Sequence, residues 1–226
     1  MLRISKSLIL MIAFFFLSCR REHTVENNNS NKKVQKLKMH KLEKLFLTGD
    51  FNGDKKIDTL FEHNYSNLNK KEIELAPDPY QNNWETVVDW FYKQESSVYL
   101  STNENKGDKL NLSTAQGLYC LINIGDNNFD GKDEIALVLD LCDYSRINSC
   151  KIYTLCKNKW KKIKQFGIRE DSFDYRDGKK PIKYFEIKNY LENHNGKWFY
   201  KDNNQIDYET QDEVGKMNKL ELVKCE

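Results

Sequence analysis

The sequence lacks the short motifs that mark common chemistries. It has no GxSxG elbow, no HExxH pair, no Walker loop and no glycine fingerprint of a dinucleotide fold. A CxxC pair is also missing, so a structural zinc site has no ligand spacing to start from. The four histidines, His23, His40, His63 and His194, fall in a polar segment, near a strand end or in a turn, where a surface role is the expectation. An excess of one charge is absent too. Once residues 1–18 are set aside, with Arg3 and Lys6 among them, 34 basic and 34 acidic residues remain. Nucleic-acid binding draws on phosphate neutralisation by a basic surplus or stripe, so a nucleic-acid partner is excluded. Finally, no apolar run reaches the ~20 residues of a membrane span. Leu8 to Leu17 is ten residues long, the size of a signal-peptide core, and it follows Arg3 and Lys6.

That core ends in Phe16-Leu17-Ser18-Cys19. The tetrad resembles the lipobox of bacterial lipoproteins, with Phe16 where an aliphatic residue is usual. The resemblance implies cleavage after Ser18, a diacylglycerol on Cys19, and a protein held at the bacterial cell envelope, on the outer membrane and facing the periplasm or the surface. The alternative is a plain secretory signal with an incidental Cys19; both export the chain. Residues 19–41 are polar, carry an asparagine-serine run and show neither strand nor helix period, which predicts a flexible tether.

Residues 42–226 suit one domain. Short apolar runs separated by Gly, Asn and Asp clusters predict a mainly β, antiparallel fold, with strands near 45–47, 59–62, 97–100, 110–112, 119–124, 135–141, 151–155 and 184–191. Asn195-Gly196 predicts a tight hairpin turn. Trp84, Val87, Val88 and Phe91 recur at helical spacing, so a short helix is expected over about 84–94.

The chain also repeats itself at an offset of 76 residues, which superimposes residues 45–60 on 121–136. Asp50, Asn52, Asp54 and Asp58 then meet Asp126, Asn128, Asp130 and Glu134. Oxygen-bearing side chains persist at these positions while the residues between them drift. Calcium takes six to eight oxygens at about 2.3–2.6 Å, and a tight loop can supply them from alternate residues. Without an ion, carboxylates about 5 Å apart repel by roughly 3 kcal/mol per pair at an effective dielectric near 20. Magnesium suits the pattern less because it demands near-ideal octahedral geometry. An EF-hand is excluded, since position 12 is Phe61 or Leu137.

Both loops precede strand-like runs, and in this they resemble the FG-GAP/VCBS repeats of integrin-type β-propellers. The resemblance implies calcium ligands from Asp50, Asn52, Asp54, the Lys56 carbonyl and Asp58. In the second loop it implies Asp126, Asn128, Asp130, the Lys132 carbonyl and Glu134. Gly131 stands where the family's turn wants glycine; the first loop has Lys55 there and Gly53 two places earlier. The alternative for both loops is an Asx turn that caps a hairpin through side chain-to-backbone bonds. A closed propeller exceeds this length, so two or three blade-like sheets are expected, as an open propeller fragment or small sandwich.

Cys120, Cys142, Cys150, Cys156 and Cys225 remain besides Cys19. A hairpin folded about Arg146 would set Cys142 opposite Cys150 as a disulfide; buried free thiols are the alternative. Trp84, Trp90, Trp160 and Trp198 are expected in the core, with a sugar-stacking platform as the other option. Asp133, Asp140 and Asp143 are expected as solvated strand residues, with a catalytic carboxylate pair as the rival. The expected function is a non-enzymatic, calcium-stabilised binding or adhesion module that meets a glycan or an envelope protein. The alternatives are a glycan- or phosphoester-directed hydrolase, or an assembly or inhibitor subunit of another envelope protein.

Overall fold

The run Ile135-Ala136-Leu137-Val138-Leu139 has no polar face to turn toward water, so it needs cover on both sides. The computed structural model, which describes residues 36–102, 109–145, 147–169, 173, 184–203 and 216–225, supplies that cover. In chain order its strands are β1 (Met39–Lys41), β2 (Phe46–Gly49), β3 (Asp58–Ser66), β4 (Lys71–Glu72), β5 (Leu75–Pro77), β6 (Ser96–Thr102), β7 (Leu110–Asn111) and β8 (Ala115–Gly125). They continue with β9 (Glu134–Leu141), β10 (Ile147–Cys156), β11 (Lys159–Arg169), β12 (Leu191–His194), β13 (Lys197–Tyr200) and β14 (Asn218–Lys219). Helix α1 (Trp84–Lys93) lies between β5 and β6. Every strand pair is antiparallel. The fold is mainly β with antiparallel sheets, as the sequence predicts.

Two sheets follow one plan. Strands β2, β3, β6 and β7 are neighbours in that order, with β4 added on β3, and β8 to β11 form a four-stranded meander. In each, the first hairpin is closed by one of the aspartate-rich loops. The 76-residue offset is therefore the repeat of one sheet upon the next. A third sheet has the order β12-β13-β14, and β1 pairs with β5.

The meander of β8–β11 is packed on both faces. One face, with Cys120, Ile122, Val138, Cys150 and Ile152, meets Leu191, Trp198 and Leu220. The other, with Leu121, Ile135, Leu137 and Leu139, meets Leu47, Leu60, Val98 and Leu100. At about 1.5–3 kcal/mol per large apolar side chain, this double burial anchors β9 on both faces.

Helix α1 begins where Asn83 accepts a hydrogen bond from the Glu85 N–H at 2.9 Å. Such a cap stabilises a helix by about 1 kcal/mol. Val87 and Phe91, one turn apart, are fully buried with Leu42, Ile73 and Ala76. The expected hairpin at 195–196 is also present, joining β12 to β13 with both residues at positive φ.

Some expectations need correction. The segment 184–191 is not a strand: Ile187 bridges to Leu191 around a turn whose Asn189 has φ 66°. Strand β11 was not foreseen, because Lys159, Lys161, Lys162 and Lys164 mask its alternation. It is an edge of its sheet, where lysines discourage pairing with another chain. Met39–Lys41, at the end of the expected tether, pairs with Leu75–Pro77. The proposed Cys142–Cys150 bridge is wrong. The β9–β10 register pairs Cys150 with Val138, four residues from Cys142, so the hairpin is not centred on Arg146. Cys142 instead lies with the helix cluster, and Cys120, Cys142 and Cys150 are buried free thiols whose pKa values burial raises. The disulfide joins Cys156 to Cys225. The tryptophans go to the core: Trp198 is buried and the other three are half-buried against apolar clusters.

Candidate metal centre

Each aspartate-rich loop turns on the same bonds. In the first, Asp50 Oδ2 accepts from the Lys55 N–H at 2.9 Å and Asn52 Oδ1 from the Asp54 N–H at 2.8 Å. In the second, Asp126 Oδ2 accepts from the Gly131 N–H at 3.0 Å and Asn128 Oδ1 from the Asp130 N–H at 2.9 Å. Backbone conformation repeats as well. The fourth and sixth positions are left-handed in both loops: Gly53 (82°) and Lys55 (66°), then Phe129 (61°) and Gly131 (88°). Gly53 is therefore not misplaced. Each loop spends its one glycine on a different left-handed position and tolerates a side chain at the other.

The loops differ in what surrounds them. Asn52, Asp54 and Lys56 are exposed and Asp50 and Asp58 are half-buried. Among the described residues, the trio whose ligand atoms lie within 4.8 Å of one another is Asp126, Asp130 and Glu134. The first loop's three aspartates do not converge in this way. Asn128 is 3% exposed and Glu134 0%. Glu134 Oε2 accepts from the Asn127 and Asn128 N–H groups at 2.9 and 3.2 Å. Its Oε1 is buried without a hydrogen-bond partner, as is Asp130 Oδ1. Burial raises the Glu134 pKa to about 7, opposed by the N–H bonds and the nearby Thr154 hydroxyl and assisted by the Asp130 charge.

An orphaned carboxylate oxygen out of water costs about 1–3 kcal/mol or more. Two such atoms beside a third carboxylate form a donor set that suits a hard cation, which would satisfy both and remove the repulsion. Of the sequence-predicted residues of the second loop, the three carboxylates are thus brought together, while Asn128 Oδ1 is engaged by the Asp130 N–H; those of the first form a hydrogen-bonded turn whose Asn52, Asp54 and Lys56 are open to solvent.

Asp133 clasps the two loops. Its Oδ2 accepts from the Asp50 N–H at 3.0 Å and from Asn123 Nδ2 at 2.8 Å, and its own N–H donates to the Asp50 carbonyl at 2.8 Å. Gly49 lies under the clasp, where a Cβ would fall 2.4 Å from Asn123 Nδ2 and 2.6 Å from Asp133 Oδ2. Asp133 therefore ties the first hairpins of the two sheets together, a role its sequence setting did not disclose. Asp140 and Asp143 are half-buried and exposed; Asp140 accepts from Gln116 Nε2 and Asp143 from the Ser145 N–H.

Two further polar groups were missed. Glu62 is 2% exposed and bridges the sheets, accepting from the Leu45 N–H at 2.8 Å and the Leu118 N–H at 2.9 Å. Burial lifts its pKa to about 7 against those bonds. On the outer face of β3 and β6, Ser101 Oγ lies 3.1 Å from His63 Nε2, and His63 Nδ1 lies 3.1 Å from Glu72 Oε1. Glu72 also holds Lys44 at 2.9 Å, and the His63 ring stacks on Tyr99 at 4.5 Å. Neither group has a local sequence signature, because strand pairing assembles both. His40 lies on β1 and His194 at the end of β12, 3.0 Å from Glu192. Cys19 and His23 are outside the described residues.

No family model, curated protein or solved structure matches this chain. Among the described residues, no helix is long and apolar enough to cross a membrane.

Proposed function

We propose that this chain is an envelope-anchored lipoprotein whose FG-GAP/VCBS-like β domain is stabilised by calcium and serves as a binding or adhesion module toward a glycan or another envelope protein. One observation carries the calcium assignment: Asp126, Asp130 and Glu134 converge within 4.8 Å while Asp130 Oδ1 and Glu134 Oε1 are buried without partners. The second loop is the principal site, and the first is a weaker one on the same backbone plan. Blade-like meanders that each carry the loop in their first hairpin support the family resemblance.

Melting temperatures in chelator and in millimolar calcium test the assignment, because metal that binds only the folded state raises stability by about 2.7 kcal/mol at 100 times its dissociation constant. No shift would leave both loops as Asx turns. The anchor is tested separately. Cys19→Ser releases the protein from membranes or blocks its maturation, and an unmodified Cys19 at the mature N-terminus ends that part of the proposal.

A hydrolase is the second reading, and the Ser101–His63–Glu72 linkage favours it. Its two contacts are those of a nucleophile, a base and an orienting acid. A fluorophosphonate probe separates the readings: covalent labelling of Ser101 that is lost in His63→Ala supports hydrolysis, and no labelling leaves the three residues as a clamp between strands.

A further inference from the structure

The C-terminal segment 220–225 crosses the second loop, with its two ends held. At the near end Leu220 is 3% exposed in the core and its N–H donates to the Trp198 carbonyl at 2.8 Å. At the far end Cys225 is disulfide-bonded to Cys156, the last residue of β10. Between them the segment makes three contacts with consecutive loop residues. Asn127 Nδ2 donates to the Leu220 carbonyl at 3.4 Å and Asn128 Nδ2 to the Val223 carbonyl at 3.3 Å. Lys224 Nζ donates to the carbonyl of Phe129 at 2.9 Å.

These contacts restrain the loop residues that flank the acidic trio. Asn128 offers one oxygen and one NH₂; its Nδ2 is shared between the Val223 carbonyl and Asp130 Oδ2, both at 3.3 Å, which fixes the amide with Oδ1 accepting from the Asp130 N–H. Phe129 holds φ 61° with its side chain 79% exposed, a conformation that a bulky residue keeps only when its surroundings impose it. The lysine bond to its carbonyl is one such imposition. On the other side Lys132 Nζ donates to the Leu155 carbonyl at 2.9 Å, next to Cys156. The Thr154 hydroxyl is 3.9 Å from Cys225 Sγ. One disulfide therefore ties the strap, which holds Asn128 and Phe129, to the end of β10, which holds Lys132.

We infer that the Cys156–Cys225 disulfide is a redox control on the second loop: oxidised, it holds the strap down and the cation site preformed; reduced, it frees the strap and weakens calcium binding. This rests on the calcium reading above. A dithiol reductant supplies two electrons and two protons, the S–S bond breaks, Cys156 and Cys225 become thiols, and the dithiol closes to its own disulfide. Both cysteines are half-buried rather than enclosed, so the bond is open to attack. Among the described residues no comparable strap crosses the first loop, and its Asn52 is exposed. Linkage then makes the effect reciprocal, because whatever factor reduction removes from calcium affinity, calcium must impose on the disulfide equilibrium.

Calcium titration of the full-length protein by calorimetry, oxidised and after dithiol reduction, tests the inference. Reduction is expected to weaken the tighter site by at least about fivefold, at the low end of measured couplings, and saturating calcium should protect the disulfide by the same factor. Lys224→Ala, which keeps the disulfide, should also lower the affinity of that site while the melting temperature in chelator stays within a few degrees; this variant decides the matter if the reduced protein unfolds. An oxidised protein that binds calcium with an affinity unchanged by reduction and by Lys224→Ala overturns the redox control and leaves the calcium reading standing. An oxidised protein that binds no calcium at millimolar concentrations overturns the calcium reading itself.

Discussion

Glu134→Gln separates a metal ligand from a mere structural carboxylate, because the two roles predict opposite signs. The side chain is out of solvent and its folded-state pKa is raised from 4.5 to about 7. A raised carboxyl pKa contributes stability that is complete below the unfolded value of about 4.5 and is lost as pH rises through 7. Above pH 7 the metal-free protein thus carries a strained carboxylate. At about 1.4 kcal/mol per pKa unit the cost would reach about 3.5 kcal/mol; because the loop is partly open at Asp126 and Asp130, on the order of 1–3 kcal/mol is the working range. Glutamine removes that cost and keeps an oxygen for the Asn127 and Asn128 N–H groups. In chelator at pH 8, Glu134→Gln should therefore melt higher than the natural protein, by roughly 2–12 °C at ~2–4 °C per kcal/mol for a domain of this size. In calcium it should gain less, since each tenfold loss in affinity removes about 1.4 kcal/mol of metal stabilisation. Melting of both proteins from pH 5 to 9, with and without calcium, is the assay. Glu62, with a similar pKa, titrates in both and cancels in the difference. A variant that is less stable in chelator yet keeps the full calcium response would refute the reasoning.

Asp130→Ala should remove more of the calcium-induced stabilisation than Asp54→Ala, because only the second loop gathers its carboxylates; equal losses in differential scanning calorimetry would put the two sites on a par. Gly49→Ala drives a Cβ into Asn123 and Asp133 and should cost about 1–3 kcal/mol in urea unfolding, in the range of other overpacked sites. A change within about 0.5 kcal/mol would show that the clasp relaxes freely. Thiol counting on the denatured, unreduced protein should find Cys120, Cys142 and Cys150 free and Cys156 and Cys225 blocked; five reactive thiols among these would exclude the bridge.

Local chemistry was legible in the sequence because it depends on near neighbours. The antiparallel class, helix α1, the Asn195-Gly196 turn and the oxygen-bearing loops all follow from patterns a few residues long, and the 76-residue offset marks the repeated sheet. The second loop could be ranked above the first, but the glycine argument behind that ranking was incomplete. The two backbones agree; what separates them is the burial of Asn128 and Glu134 and the contacts that Leu220, Val223 and Lys224 make with the second loop from about ninety residues away. The disulfide failed for a related reason: parity placed Cys150 and Cys156 on one strand face, but register decides partners, and a hairpin centred two residues away, which shifts each partner by four, still satisfies parity. Strand β11 escaped because an edge strand's lysines carry information about aggregation rather than burial. What the sequence by itself determined was each segment's preference and the oxygens each loop could offer. Only the tertiary structure decided which oxygens meet, which lose their water and which cysteines close the strap, because desolvation and long-range pairing depend on residues that share space without sharing sequence.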